Sequence, residues 1–330
     1  MKIGINGLGR IGKSILLQSL KKDNIKIQAI NIPNFNLGTL DSYLSNDSCH
    51  KTDLDRRDVY VINKNTVKIK NHVIKILDKR EPEKDMWIDN DVEYLIETSG
   101  KFLTKEKAKK HNVPYFMMCA PSKDDTPQYL YNGNHDTYLN EKILSNSSCT
   151  TNSLVPLLKL LNDHFGIVSA NFITVHAATA SQHVIDGVHL KSRIHRSIIN
   201  NIIPHTTGAS ESAIKILPEL ERKLFGTSVR IPTNNVSMID LNVKLVKTLH
   251  IEEMLRWLRT RKEVEVNDDK HLVSSDFMTT TNPTIIDSNS CMMMGYGEYK
   301  FTIWYDNEWS YSAQALKLLE HIDNNKHLRW

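Results

Sequence analysis

Lys2-Ile3-Gly4-Ile5-Asn6-Gly7-Leu8-Gly9-Arg10-Ile11-Gly12 is the stretch that decides the fold. A short apolar run enters a glycine turn, and residues 11–20 then carry helical spacing. The next β-branched run, 25–31, completes a strand–helix–strand unit of about the length that motif needs. The hexapeptide from Gly7 to Gly12, with Arg10 and Ile11 inside it, fits G-x-G-x-x-G between strand and helix. Gly7 permits the tight turn, Gly9 lets backbone approach a pyrophosphate, and Gly12 allows close helix–strand packing. The helix N-terminus then faces the phosphates. Alone the hexapeptide is a weak signal, since a ligand-free glycine turn reads the same. Its place in an N-terminal βαβ unit makes it a dinucleotide site.

One part of that signature is missing. Asn31-Ile32-Pro33-Asn34 stands where an Asp or Glu ordinarily binds the adenosine ribose. Asn31 and Asn34 are the groups left to replace it, and neutral groups hold the two hydroxyls less firmly. Losing the carboxylate also removes the repulsion that excludes a 2′-phosphate. NAD is the expected cofactor, with NADP open.

Further along, 59–62 and 67–76 read as a strand group, and 92–97, 105–110 and 114–119 repeat strand, helix, strand. This predicts a Rossmann-type α/β domain, its mostly parallel sheet covered by helices. Beyond residue 148 the pattern changes: 168–176 and 229–245 are long β-type runs, while 251–261 and 313–322 are helical. Few crossover helices between long strands predict a second α+β domain on a mixed or antiparallel sheet. The expected division is a dinucleotide-binding domain over 1–148 and a catalytic domain over 149–312. That boundary would put its first residues in an interdomain cleft, where ligand sites concentrate.

The whole chain bounds the function. Its 330 residues suffice for two domains, and 40% hydrophobic with 24% charged residues is an ordinary globular balance. No run approaches the ~18 apolar residues of a membrane span. Asn6 interrupts the first apolar run and no small-residue cleavage site follows, so the start reads as a strand and not a secretion signal. Cys49, Cys119, Cys149 and Cys291 lack zinc spacing and are too sparse for a disulfide framework, so no metal site is expected and the cytoplasm is the expected compartment. The net charge of +4 suits an anionic small substrate, and without a long basic block it points away from nucleic acid.

Ser145-Asn146-Ser147-Ser148-Cys149-Thr150-Thr151-Asn152 precedes an apolar run of helical period, with Thr150 or Thr151 as expected N-cap and Pro156 early enough to be tolerated. A thiol at a helix N-terminus meets unpaired N–H groups and the positive dipole end, which lowers its pKa and favours thiolate. A structural cysteine in a polar turn is the bland alternative. Such a nucleophile needs a proton partner, and of 14 histidines His176 is the first in a strand-like run after it, 27 residues on. A histidine in an apolar strand is otherwise a satisfied core residue. Thr179, Arg193, His195, Arg196, the Thr206-Thr207-Gly208 helix start and Arg230 offer the hydroxyls, guanidinium forks and N–H groups that phosphate oxygens require. Spacing does not show that they converge. Tyr305-Asp306-Asn307-Glu308-Trp309 reads as a polar–aromatic turn after a strand.

Together these residues resemble the phosphorylating glyceraldehyde-3-phosphate dehydrogenase family, essentially end to end. The octet around Cys149 and the string from Tyr305 to Trp309 carry the resemblance, with landmarks at 6–12, 97–102, 120–124, 174–177, 201–208 and 230–233. The resemblance implies that Cys149 attacks the aldehyde with His176 as base, and that hydride passes to a nicotinamide held by Asn307. Inorganic phosphate would then cleave the thioester to an acyl phosphate. It further implies Arg80 and Ser99 as cofactor contacts, Thr179 and Arg230 about the substrate phosphate, Ser148, Thr150, Thr207 and Gly208 about the attacking phosphate, and Arg193 as a phosphate ligand of either. A homotetramer is implied, with 179–203 as a loop near a neighbour's cofactor and the helix 313–330 packing back on the first domain.

Ile32, Ser147, Ser310, a short 261–271 and Gly187-Val188 depart from the family pattern, which bears on cofactor affinity and subunit packing. Two alternatives stand beside this reading. Erythrose-4-phosphate dehydrogenase shares the octet but hydrolyses its thioester, and relatives of that type typically lack the Thr207-Gly208 and Tyr305 kept here. A divergent non-catalytic binding paralogue rests on Ile32 alone.

Overall fold

A computed structural model describes residues 1–187 and 192–326 and divides the chain into two compact units. Met1–Ser147 with Ser312–Trp330 form the first, Ser148–Tyr311 the second. Val188 and the end of the expected C-terminal helix, 327–330, lie outside the described residues. No helix among the described residues is long and apolar enough to cross a membrane.

In the first unit the apolar runs become β1 (Lys2–Asn6), β2 (Lys26–Asn31), β3 (Val59–Asn63), β4 (Thr66–Ile69), β5 (His72–Leu77), β6 (Tyr94–Glu97), β7 (Tyr115–Met118) and β8 (Ile143–Ser145). The helices are α1 (Arg10–Ser19), α2 (Leu40–Ser45) and α3 (Lys105–Lys109). The sheet runs β3-β4-β5-β2-β1-β6-β7-β8, parallel from β5 to β8, with β3 and β4 antiparallel at one edge. Within the expected strand group, 67–76 divides into two strands, because Lys70 adopts a left-handed φ of 50° and turns the chain back. Ile3, Ile5, Ile30, Leu95 and Ile96 are fully buried in the central strands, as a sheet covered on both faces requires.

The second unit opens with α4 (Cys149–Phe165) and β9 (Ile167–Ala177). There follow β10 (Ile203–His205), α5 (Ala209–Ile216), β11 (Leu224–Ile231), β12 (Ser237–Leu245), α6 (Ile251–Leu258), β13 (Glu265–Asn267), β14 (Ile285–Asp287), β15 (Met292–Gly295) and β16 (Glu298–Tyr305). The sheet order is β10-β11-β9-β12-β16-β14-β13, with β15 paired to β16, and its pairings are mixed as expected. The apparent run over 229–245 is two strands broken by Pro232-Thr233-Asn234-Asn235, a turn its composition should have announced. Along β9 the burial alternates, so Phe172, Thr174 and His176 share the covered face while Asn171 and Ile173 face outward.

Helix α7 (Trp309–Asn325) starts where Asp306 Oδ1 accepts the amides of Glu308 and Trp309 at 2.9 and 2.8 Å. Beyond residue 311 it belongs to the first unit, where Asp323 accepts from the Tyr94 hydroxyl at 2.7 Å and Glu320 pairs with Lys22 at 2.8 Å.

Candidate active site

The first unit carries a glycine turn whose three positions do different work. Gly7 sits at φ +99°, a conformation that L side chains rarely adopt. A Cβ on Gly12 would meet the Gly7 carbonyl oxygen at 2.2 Å, so only glycine lets α1 approach β1 this closely. A Cβ on Gly9 would meet nothing within 4 Å, so this backbone is open to a ligand. These are the features a pyrophosphate cradle needs, and the residues fit a dinucleotide. Arg10 is gripped by Asp47 at 2.6 and 2.9 Å, which leaves its amide at the helix start, and not its guanidinium, for the phosphates. The partly buried Ile11 follows it in the turn.

Beside the turn lies a pocket lined by Asn6, Gly7, Asn31, Pro33, Asn34, Lys79, Arg80, Ser99, Lys101 and Phe102. Glu97, buried beneath it, accepts from the Ser99 amide at 2.7 Å, from Gly100 at 3.0 Å and from Asn6. Burial pushes the Glu97 carboxyl above its ordinary value, against those donors. Asn31, one of the two groups expected in place of the ribose-binding acid, lines this pocket but is engaged within the protein. Its amide nitrogen donates to Asn6 at 2.7 Å and to the Lys79 carbonyl at 2.8 Å, and its oxygen accepts from the Lys79 amide. Asn34 lines the pocket as well.

In the second unit the N-cap of α4 is Ser148, not Thr150 or Thr151: its Oγ accepts the Thr151 amide at 3.1 Å. Cys149 is therefore the first helical residue. Its Sγ lies 3.4 Å from His176 Nε2, in hydrogen-bond reach for sulfur. The His176 ring is turned by the Ala177 carbonyl, 2.7 Å from Nδ1. Nδ1 also lies 2.5 Å from Arg230 Nη1, a donor, so the carbonyl favours a proton on Nδ1 and the guanidinium opposes it; in the Nδ1–H tautomer the Nε2 lone pair points at the thiol. Strand register supplies the next neighbour. Arg230 is opposite His176 in the β11/β9 pair, its Nη1 beside the imidazole and 3.1 Å from the Ala177 oxygen. Arg230 Nε is buried with no hydrogen-bond partner among the described residues, a donor left for a further acceptor to satisfy.

The electrostatics depart from the helix-dipole expectation. Burial pushes the Cys149 thiol up, while Arg230 and the hydroxyl and amide of Thr150 pull the other way. Burial, with Arg230 adding to it, brings His176 down to about 3. These directions favour a neutral imidazole facing a thiol that is itself only partly buried. The helix N-terminus is one contribution among several, and desolvation outweighs it here.

Sequence reasoning missed a support beneath this pair. The buried Tyr305 hydroxyl lies 2.9 Å from Thr150 Oγ1 and 2.8 Å from Thr174 Oγ1, with its ring edge-on to His176. Thr174 was legible, being two residues before His176 on the same strand face. Tyr305 was not, because only the β12/β16 register sets it opposite Ser237. Ser237 Oγ donates to Asn307 Oδ1 at 2.9 Å and accepts the Ala177 amide at 3.0 Å, which links Asn307 to the end of β9. Val236, buried at φ 63°, precedes it, an outlier for a β-branched residue.

The remaining expected anion ligands make local contacts of their own or lie exposed. Thr179 is exposed and bonds Ser181 and the buried Gln182 at 3.1 and 3.0 Å. Arg193 is exposed in a one-turn 3₁₀ segment. Thr207 Oγ1 accepts the Ala209 amide at 3.2 Å, and Gly208, the N-cap of α5, is open around its Cα. Among the described residues no hydrogen bond ties Thr179, Arg193 or Thr207 to Cys149, His176 or Arg230.

Comparison with known proteins covers both units. The family model described as glyceraldehyde 3-phosphate dehydrogenase, NAD binding domain, matches residues 1–105, and that described as its C-terminal domain matches 148–307. Among similar proteins, the glyceraldehyde-3-phosphate dehydrogenase of Buchnera aphidicola subsp. Schizaphis graminum is 38% identical, with 98% of each chain covered. Glyceraldehyde-3-phosphate dehydrogenase A of Escherichia coli K12 is 37% identical, covering 98% of this chain and 99% of its own. A chloroplastic glyceraldehyde-3-phosphate dehydrogenase of Arabidopsis thaliana is 37% identical over 97% of this chain and 78% of its own. A glycine turn built for a dinucleotide and a thiol facing an imidazole are what such a match needs underneath it, and the chain belongs to the glyceraldehyde-3-phosphate dehydrogenase family of NAD-dependent oxidoreductases.

Proposed function

We propose that the chain is a phosphorylating glyceraldehyde-3-phosphate dehydrogenase, with Cys149 as nucleophile and His176 as its base. The 3.4 Å approach of Cys149 Sγ to His176 Nε2 carries this reading. The sulfur gives its proton to Nε2 as it attacks the aldehyde carbon. The imidazole is thereby charged beside the new alkoxide and returns a proton to that oxygen, giving a thiohemiacetal. NAD, when bound, would supply the hydride acceptor, and His176 would be placed to take the hydroxyl proton that is lost as a thioester forms. Asn307, oriented by Ser237, holds the carboxamide. Inorganic phosphate then displaces the sulfur, giving an acyl phosphate and restoring the thiol.

Arg230, its buried Nε lacking a hydrogen-bond partner among the described residues, binds the substrate phosphate together with Thr179. Ser148, Thr150, Thr207 and Gly208 receive the attacking phosphate, helped by the amides at the start of α5, and Arg193 is a ligand of either phosphate. Gly7, Gly9, the amides of Arg10, Ile11 and Gly12, and Arg80 and Ser99 hold the dinucleotide in a domain over 1–148, with 149–312 catalytic. Purified protein given glyceraldehyde 3-phosphate and NAD should form NADH only with phosphate present. Equal rates without phosphate would overturn the reading in favour of the hydrolytic erythrose-4-phosphate dehydrogenase.

A homotetramer is part of the same proposal, supported by the outward Ile173 and Phe225, 46% and 63% exposed on one sheet face. Light scattering at the mass of a monomer would remove it. Four free cysteines agree with a reducing compartment, and the cytoplasm is proposed.

A further inference from the structure

We propose that the pocket beyond the end of β2 receives a 2′-phosphorylated adenosine ribose, so that this chain binds NADP more tightly than NAD. The inference rests on the glycine turn binding a dinucleotide and concerns only which one. At this strand end an NAD site ordinarily presents a carboxylate that accepts from the ribose hydroxyls and repels a 2′-phosphate. Here Ile32 follows β2 with its side chain 9% exposed, so it offers the ribose neither an acceptor nor a negative charge. Asn31 cannot compensate, since Asn6 and the Lys79 backbone occupy it on both sides.

The charges that remain are positive. Lys79, Arg80 and Lys101 line the pocket, and no Asp or Glu does. Lys79 is partly offset by Glu83 at 2.6 Å, whereas Arg80 and Lys101 pair with no carboxylate among the described residues. Asp78 is near in sequence, but its carboxylate is turned onto the Asn34 amide at 2.7 Å. With the Asn34 amide oriented so that its oxygen faces Arg80, that oxygen accepts from Arg80 Nε at 3.1 Å and from Nη2. This contact steadies the guanidinium at the pocket mouth. A phosphate there meets a positioned fork and an ammonium, the pairing that charge-assisted hydrogen bonds favour. A bare ribose meets no carboxylate able to take its two hydroxyls.

Calorimetry on the full chain with adenosine 2′,5′-bisphosphate and with 5′-AMP tests this without turnover. The bisphosphate should bind about tenfold more tightly at low salt, the advantage shrinking as salt rises. Arg80→Ala should remove most of that advantage, and Ile32→Asp should reverse it, with far-UV circular dichroism confirming that both variants fold. If 5′-AMP binds as tightly as the bisphosphate, the proposal fails while the dinucleotide reading survives. An advantage unchanged in Arg80→Ala also overturns it. If the chain binds neither fragment, nor NAD, nor NADP, the dinucleotide reading fails with it.

Discussion

At the scale of single residues, the thiol at position 149 answers to opposed influences. Its place as first residue of α4 and the nearby Arg230 favour thiolate, and burial favours thiol. The imidazole resolves this by taking the proton when the sulfur attacks. Iodoacetamide should therefore alkylate Cys149 at pH 7 at least about tenfold more slowly in His176→Asn than in the parent, as expected when a general base is lost. Identical rates in parent and variant would remove His176 from the chemistry. Substituting Tyr305→Phe deletes a hydroxyl that joins two buried threonines, Thr150 and Thr174, and should cost about 1–3 kcal/mol in urea unfolding.

Among elements, α1 and its turn separate binding from folding. Gly12→Ala puts a methyl 2.2 Å from the Gly7 oxygen, so α1 must shift and the melting temperature should fall visibly. In Gly9→Ala the methyl meets no protein atom within 4 Å, so the fold should hold while dinucleotide affinity drops. Equal melting temperatures in the two variants would contradict this division of labour. On α4, Ser148→Ala removes the cap to the Thr151 amide and should cost about 1 kcal/mol. In the first unit β1, α1, β2, β6, α3 and β7 were legible because each rests on local periodicity and a nearby turn, whereas α2 and β8 went unread. The short strands Glu265–Asn267, Ile285–Asp287 and Met292–Gly295 were not, since three or four residues carry no measurable period.

For the molecule as a whole, buried histidines give a pH dependence of stability on the acid side. His111 is 1% exposed, and its Nδ1 accepts from Trp87 Nε1 at 3.0 Å. Burial brings its pKa from 6.5 to about 4. Because the folded value is the lower one, the unfolded chain binds the extra proton between them. This contribution is complete above pH 6.5 and is lost as pH falls towards 4. The slope should approach about 1.4 kcal/mol per pH unit for this residue. Denaturant unfolding from pH 7 to 4.5 should show the decline, and His111→Gln should flatten it while lowering stability at pH 7. A decline of the same slope in the variant would assign the acid sensitivity elsewhere, His176 being the next group to examine.

What the amino-acid order determined alone was whatever short-range geometry enforces: a glycine turn between strand and helix, a cysteine entering a helix, an alternating strand that puts Thr174 and His176 on one face. Only the tertiary structure decided which partners those groups meet. Arg230 beside His176, Tyr305 beneath Thr150, and Ser237 between Ala177 and Asn307 all follow from pairings among strands far apart in the chain. Burial of the thiol is likewise a property of everything packed around it. Strand register and desolvation are collective quantities, settled by the packing of distant segments, so no local pattern of residues encodes them.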